Sequence, residues 1–177
     1  MSLQLIELVP ATPEKEAVRS IIDATSTAVS QASAELIESQ VTADHGRVFV
    51  VVESESTEGL AETVRAALAD TVTEVTGPDE VRLVGAELED IKKLKGQTDY
   101  LVEWDIPAEI TMDQYLARKK ANSPKYAEVP EVSFLRTYVR EDTAKCLCFY
   151  NAPDEDAVVR ARAAVSTPFD RMFKLEV

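Results

Sequence analysis

The chain has 177 residues, 45% apolar, 29% charged and 6% aromatic, and 19 Lys and Arg against 32 Asp and Glu leave a formal net charge of -13. Such a composition supports a buried core and excludes disordered, collagen-like and low-complexity chains. It also argues against nucleic acid as a partner, because a phosphate backbone would be repelled, and the densest basic runs, Lys92-Lys93-Leu94-Lys95 and Arg118-Lys119-Lys120, are short and read as solvated faces.

Leu3 to Val9 reads as a strand, after which Thr12, Pro13 and Glu14 supply a cap, a first-turn proline and an acidic first turn for a helix reaching about Ala32. Val18, Ile21, Ile22 and Val29 form its apolar stripe. A strand from Glu35 to Thr42 turns at Asp44-His45-Gly46 into the strand Arg47 to Glu53. Ser56 or Thr57 caps the next helix, striped by Leu60, Val64, Ala67 and Leu68, and Gly77-Pro78 ends the segment before a last strand from Val81 to Ala86. The same order then returns. A strand Tyr100 to Ile106 leads to a helix opened by the capping box Thr111-Met112-Asp113-Gln114, and Pro124 and Pro130 break the following loop. Strands Ser133 to Val139 and Lys145 to Tyr150 flank a turn at Asp142, Pro153 to Asp156 opens a helix, and Phe173 to Val177 closes the series.

The two halves align without a gap from Leu36 to Val52 and from Phe134 to Tyr150, at a displacement of about 98 residues that also superposes Asp44 on Asp142. Each half therefore reads as a ferredoxin-like βαββαβ repeat, residues 1–88 and 100–177, joined by a linker at 89–99. Val48-Phe49-Val50-Val51-Val52 and Cys146-Leu147-Cys148-Phe149-Tyr150 are apolar on both alternating faces, so both faces of each sheet must be covered. Helices cover one. The expected cover for the other is the sheet of the sister repeat, which gives an α+β chain with its sheets packed face to face as an intramolecular pseudo-dimeric barrel.

Candidate functional residues follow from residue types that sit uneasily in such a frame. Glu7 and Glu103 occupy equivalent places on the central first strands, where a carboxylate needs an arginine, a tyrosine, a metal or water; Arg136 and Tyr138 are the expected partners in a cleft between the repeats. A pair lining a cavity would hold a cation or serve as acid and base, whereas the plainer reading pairs each with a local basic group or with solvent. Trp104, Tyr138, Phe149 and Tyr150 either wall an apolar pocket or fill the core. Cys146 and Cys148 point to one side of a strand and offer two thiolates to a soft metal, or pack as small hydrophobes. His45 is a metal ligand or proton shuttle, or simply a polar residue of tolerant backbone in a tight turn. The ligand-binding candidates are thus Glu7, Glu103, Trp104, Arg136, Tyr138 and Tyr150, and the metal candidates are Glu103, Cys146, Cys148 and His45.

The chain lacks a glycine-rich phosphate loop, a nucleophile elbow, a CxxC pair and an HExxH, so no residue is assigned a catalytic role. A spanning helix would need about 18 continuous apolar residues, which the chain lacks, and no secretory signal is read at Met1 to Glu7. A cytoplasmic protein without a membrane partner is expected, as a monomer of pseudo-dimer architecture or a homodimer.

Tyr100-Leu101-Val102-Glu103-Trp104 with Pro107, Thr137-Tyr138-Val139 with Asp142, Cys146 with Phe149-Tyr150, Ala152-Pro153-Asp154-Glu155, and Pro168 with Asp170 together resemble a family of small bacterial ferredoxin-like proteins of uncharacterised role, some nickel-binding or nickel-responsive. The resemblance covers roughly residues 100 to 177. It implies an α+β fold, association through sheet faces and a divalent transition metal such as nickel. One departure concerns the second helix: such proteins often carry a histidine before an alanine where this chain has Arg162-Ala163, which removes an imidazole ligand. The expected function is a non-enzymatic binding protein for a divalent metal or a small ligand held between the repeats, the alternative being a cofactor-independent monooxygenase-like or isomerase-like enzyme.

Overall fold

Residues 1–93 and 97–176 are described by a computed structural model of the chain. Leu94-Lys95, part of one basic run above, and Val177, the end of the expected last strand, lie outside the described residues.

The chain folds as two units, the first made of Met1–Val81 with Ile91–Lys93 and Glu176. Its elements are β1 (Ser2–Pro10), α1 (Lys15–Gln31), β2 (Glu35–Val41), β3 (Val48–Ser54), α2 (Leu60–Leu68) and the body of β4 (Val72–Val84); a short helix α3 (Leu88–Lys92) lies in the stretch read as linker. The strands run in the order β2-β3-β1-β4, with β1 antiparallel to both neighbours. Ile6, Leu8, Val48, Val50 and Val52 face Val18, Ile21 and Val29 of α1 and Leu60, Val64 and Leu68 of α2. Leu5, Glu7, Phe49 and Val51 on the other face are buried too, which is why these strands lack polar alternation.

Three local expectations are corrected. Thr12 does not cap α1: a tight turn in which its carbonyl accepts from the Glu14 N–H (2.9 Å) delays the helix, so Glu14 becomes the N-cap and makes no side-chain capping bond. Neither Ser56 nor Thr57 caps α2. Gly59, at φ 79°, takes that place, and the Ser56 hydroxyl is spent on the Glu58 N–H. Gly77-Pro78 does not end a segment, because β4 continues through it: pairing with β1 slips between Leu5 and Glu7, and a bulge accepts a proline that has no ladder donor. Gly77 lies at φ +94°, and a Cβ there would meet the Leu5 carbonyl oxygen at 2.4 Å, so only glycine fits.

The second unit holds Arg82–Asp90 and the described residues 97–175. It contains β5 (Tyr100–Asp105), α4 (Met112–Asn122), a 3₁₀ turn Ser123–Glu128, β6 (Ser133–Arg140), β7 (Lys145–Asn151), α5 (Glu155–Ala164) and β8 (Arg171–Lys174), with strand order β6-β7-β5-β8. The capping box forms as expected: Thr111 Oγ1 accepts from the Gln114 N–H (3.2 Å) and Gln114 Oε1 from the Thr111 N–H (2.9 Å). Asp154 caps α5 by accepting from the Ala157 N–H (2.8 Å).

Strand order and element order repeat between the units, and so do finer details. His45 and Thr143 both take a left-handed conformation (φ 59° and 60°), each after an aspartate whose Oδ1 accepts from the N–H two residues on, Gly46 in one turn and Ala144 in the other. The register slips after Leu36 against Val52 and after Phe134 against Tyr150, the same place in both repeats. The α+β class and the tandem βαββαβ order read from the sequence are what forms.

Candidate functional site

Pairing within the second unit decides which side chains can meet. Trp104 lies opposite Cys146, Val102 opposite Cys148 and Tyr100 opposite Tyr150, so these residues share the face that packs on α4 and α5. Glu103 lies opposite Leu147 and Arg171, on the other face, with Arg136 and Tyr138 of β6 paired to Phe149 and Leu147 beside it. The expected ligand group therefore splits into two sets, and Glu103 does not meet Cys146 and Cys148 at one metal, because neighbouring residues of a strand point to opposite faces. His45 and Glu7 belong to the first unit. His45 sits in its turn with Nε2 2.6 Å from Glu176 Oε2, and Glu7 is buried on β1 opposite Phe49.

Glu103 is held as an ion pair. Lys145 Nζ stands 3.3 Å from Oε1, Arg171 Nε donates to Oε2, and Arg171 also binds Asp105 through Nη2 (2.6 Å) and Nη1 (3.1 Å). That guanidinium holds the Asp105 carboxyl below its usual range. Arg136, 2% exposed, lies with its guanidinium carbon 4.7 Å over the Phe149 ring and reaches Thr98 Oγ1 at 3.5 Å, while Tyr138 meets the same ring edge to face at 5.8 Å.

The helix-covered face opens into a narrow cleft continuous with solvent. Its floor is Trp104, Cys146 and Cys148; one wall is Tyr115, Arg118, Lys119 and Asn122 of α4, carried on by Ser123 and Tyr126; the other is Arg162 of α5 with Val165 and Thr167. Arg118 lies over Trp104 (5.5 Å from its ring) and Lys119 over Phe134 (4.3 Å). The Tyr126 hydroxyl meets that of Tyr150 at 2.6 Å.

Arg162, 3% exposed, reaches Cys148 Sγ at 3.5 Å with Nη1, which also donates to Tyr150 Oη (3.2 Å), and Nη2 donates to the Pro168 carbonyl (2.6 Å). Its Nε is buried without a partner. Cys148 is pulled well below the usual thiol range by the Cys146 S–H, against its own burial, with help from Lys119, Arg162 and the Thr137 hydroxyl; Cys146 is pushed up by Cys148 and by burial. Burial likewise raises Tyr115 and Tyr150, and raises Tyr126 to about 12. The cleft thus presents hydrogen-bond donors and positive charge at the end of an aromatic slot. Among the described residues, no three His, Cys, Asp or Glu side chains are grouped to hold a metal ion.

The second half also carries the resemblance to known proteins. Residues 100–175 match the family described as nickel responsive protein SCO4226-like. This is the likeness read from the motifs of the second half, over nearly the same residues. The crystal structure of SCO4226 from Streptomyces coelicolor A3(2) is 19% identical, covers 44% of this chain and 93% of its own, and has a TM-score of 0.37. Over the whole chain the fold resembles the structure described as "Putative Chlorite dismutase TA0507" (12% identical, 100% of this chain and 96% of that one, TM-score 0.55). A "putative monooxygenase" from Lactobacillus acidophilus NCFM is similar in the same sense (11%, 98% and 92%, 0.54). At these identities the likeness is one of fold. No curated protein sequence matches the chain.

Of the residues that line the cleft, the sequence nominates Trp104, Cys146 and Cys148 as candidates and does not nominate Arg162, Tyr115, Arg118 or Lys119, the last two read as a solvated face. The signals were present. Tyr115, Arg118, Lys119 and Asn122 are spaced i, i+3, i+4, i+7 and so fall on one helix face, and Arg162 interrupts the stripe Ala157, Val158, Ala161 with a charge.

Proposed function

We propose that the protein binds a small molecule in the cleft of its second unit and performs no chemistry on it. The observation that supports this is the cleft itself: a narrow aromatic slot with a few convergent polar groups at its base. Trp104 is the single tryptophan and forms part of the floor, so its fluorescence reports on the site alone. Titrating small aromatic fragments while following that emission tests the reading. Saturable changes that disappear in Ser123→Phe, which plugs the wall, are expected; fragments that leave Trp104 unmoved at millimolar concentration reject it.

A second reading, a nickel or other divalent transition-metal site, is favoured by the family matched at residues 100–175 and by the two thiols on the cleft floor. Native mass spectrometry with stoichiometric nickel separates the two: a discrete adduct lost in Cys148→Ser supports the metal, and adducts shared by every divalent ion belong to the acidic surface. An enzyme using the same cleft, of the monooxygenase or isomerase kind, would show turnover of the bound molecule.

A further inference from the structure

Cys146 and Cys148, the two cysteines of the chain, are separated by one residue on β7, so both side chains leave the strand on the face that floors the cleft. Two residues along an extended strand, their α-carbons are about 6.6 Å apart, close to the upper limit for a disulfide, and both are free thiols. The sulfurs turn toward each other, the Cys146 S–H donating to Cys148. Three further donors are aimed at the pair. The Thr137 hydroxyl (3.2 Å) and Arg162 Nη1 (3.5 Å) donate to Cys148 Sγ, and the Tyr115 hydroxyl donates to Cys146. Donors of this kind form the outer shell that fixes a ligating side chain and stabilises its charge.

Coordination number and charge select the ion. Among the described residues no third His, Cys, Asp or Glu joins the pair, so a divalent ion that takes four ligands, as zinc does, is left half-ligated. Two thiolates and a divalent ion also sum to zero, which leaves the buried Arg162 beside them without a negative partner. Two thiolates and a monovalent ion keep one negative charge facing Arg162 and Lys119. Soft sulfur ligands select copper(I) among such ions, and two of them suffice for it. We infer that Cys146 and Cys148 form a two-coordinate site for copper(I), the ion lying between their sulfurs, with Thr137, Tyr115 and Arg162 as positioning residues. On binding, two S–Cu bonds form, the Cys146 S–H bond breaks and its proton leaves to solvent; Cys148 enters as the thiolate, and no atom changes oxidation state. This deepens the metal-site reading and rests on the two thiols being that site.

The test uses the full chain, reduced and kept free of oxygen, with copper(I) offered as its complex with the coloured chelator bathocuproine disulfonate. One copper per chain is expected to leave the chelator, with a thiolate-to-copper absorption rising in the ultraviolet and X-ray absorption showing two sulfur neighbours at the ion. Cys146→Ser and Cys148→Ser are each expected to abolish the transfer. Tyr115→Phe, which keeps the ring and removes the donor to Cys146, is expected to lower copper(I) affinity about tenfold with circular dichroism unchanged. If neither serine variant folds, the sulfur count at the copper in the unaltered chain decides. Undiminished transfer in either serine variant, or one sulfur at the ion, overturns the site, and three or more sulfurs, which need a second chain, overturn its two-coordinate form. No transfer to the unaltered chain, together with a stoichiometric nickel adduct that Cys148→Ser loses, overturns the monovalent ion and leaves the metal site standing; no transfer and no such adduct overturn both.

Discussion

Glu103 allows the sharpest calculation. Its side chain is 1% exposed, whereas those of Lys145 and Arg171 are 16% and 40% exposed, so the dry end of this network is the carboxylate and the wet ends are the cations. Glu103→Gln removes the charge but keeps an acceptor of the same shape. Hydrogen bonds to charged groups contribute about 1.5–3 kcal/mol each, but the 3.3 Å Lys145 contact is long and its ammonium can turn to water, and Arg171 retains both bonds to Asp105. The expected loss is about 2–3 kcal/mol. Arg171→Gln, although it alters the more exposed residue, leaves a buried carboxylate short of its main counter-charge, the situation that costs about 3–5 kcal/mol. Urea titration followed by circular dichroism gives both numbers from the midpoint shift at constant slope. Arg171→Gln should therefore be the worse of the two. The opposite order, or a loss under about 0.5 kcal/mol for Glu103→Gln, would refute the account of Glu103 as a desolvated, ion-paired carboxylate.

Gly77→Ala, forcing a Cβ against the Leu5 carbonyl at positive φ, should destabilise by more than about 1 kcal/mol in the same assay, while Gly59→Ala, also at positive φ but with open space around it, should cost less. Tyr126 is raised to about 12 from an ordinary 10.0, so the folded state keeps a proton that the unfolded chain gives up; stability present below pH 10 should fall as pH rises from about 10 to 12, and a flat profile there contradicts the burial of its hydroxyl. Asp105 is shifted the other way by Arg171, so its contribution is present above pH 3.8 and should be lost on acidification below it. Cys146 and Cys148 are each 1% exposed, so a bulky disulfide reagent should react with neither in the native protein. Iodoacetamide, small enough to enter the cleft, should alkylate Cys148 before Cys146; peptide mapping that shows the reverse removes the assignment of Cys148 as the thiolate.

The fold was legible because its determinants are local and doubled. Apolar periodicity, the Thr111–Gln114 capping box and the Asp44 and Asp142 turns each specify a conformation from a few neighbouring residues, and the second copy of the pattern checks the first. What failed locally failed by small margins of backbone geometry. Pro78 was read as a stop because proline lacks a ladder donor, but whether a strand tolerates that depends on a bulge opposite Leu5, a fact about β1 that no window around Pro78 contains. The site was less legible for a related reason. Residue type nominated Glu103, Cys146 and Cys148 together, yet strand parity sends Glu103 to one face and the cysteines to the other, and parity becomes decisive only once the pairing register is known.

Arg162 shows where residue chemistry and position must be read together. The family resemblance leads one to expect a histidine on this stretch of helix, and substitution by arginine reads most simply as the loss of a metal ligand. Imidazole has a lone pair to give to a cation; guanidinium has only donors and a permanent charge. At an exposed position the exchange would have little consequence, but Arg162 is 3% exposed on the apolar face of α5, and a permanent cation there has to be compensated. The Tyr150 hydroxyl, the Pro168 carbonyl and Cys148 Sγ meet its two terminal nitrogens, and Nε is left buried without a partner.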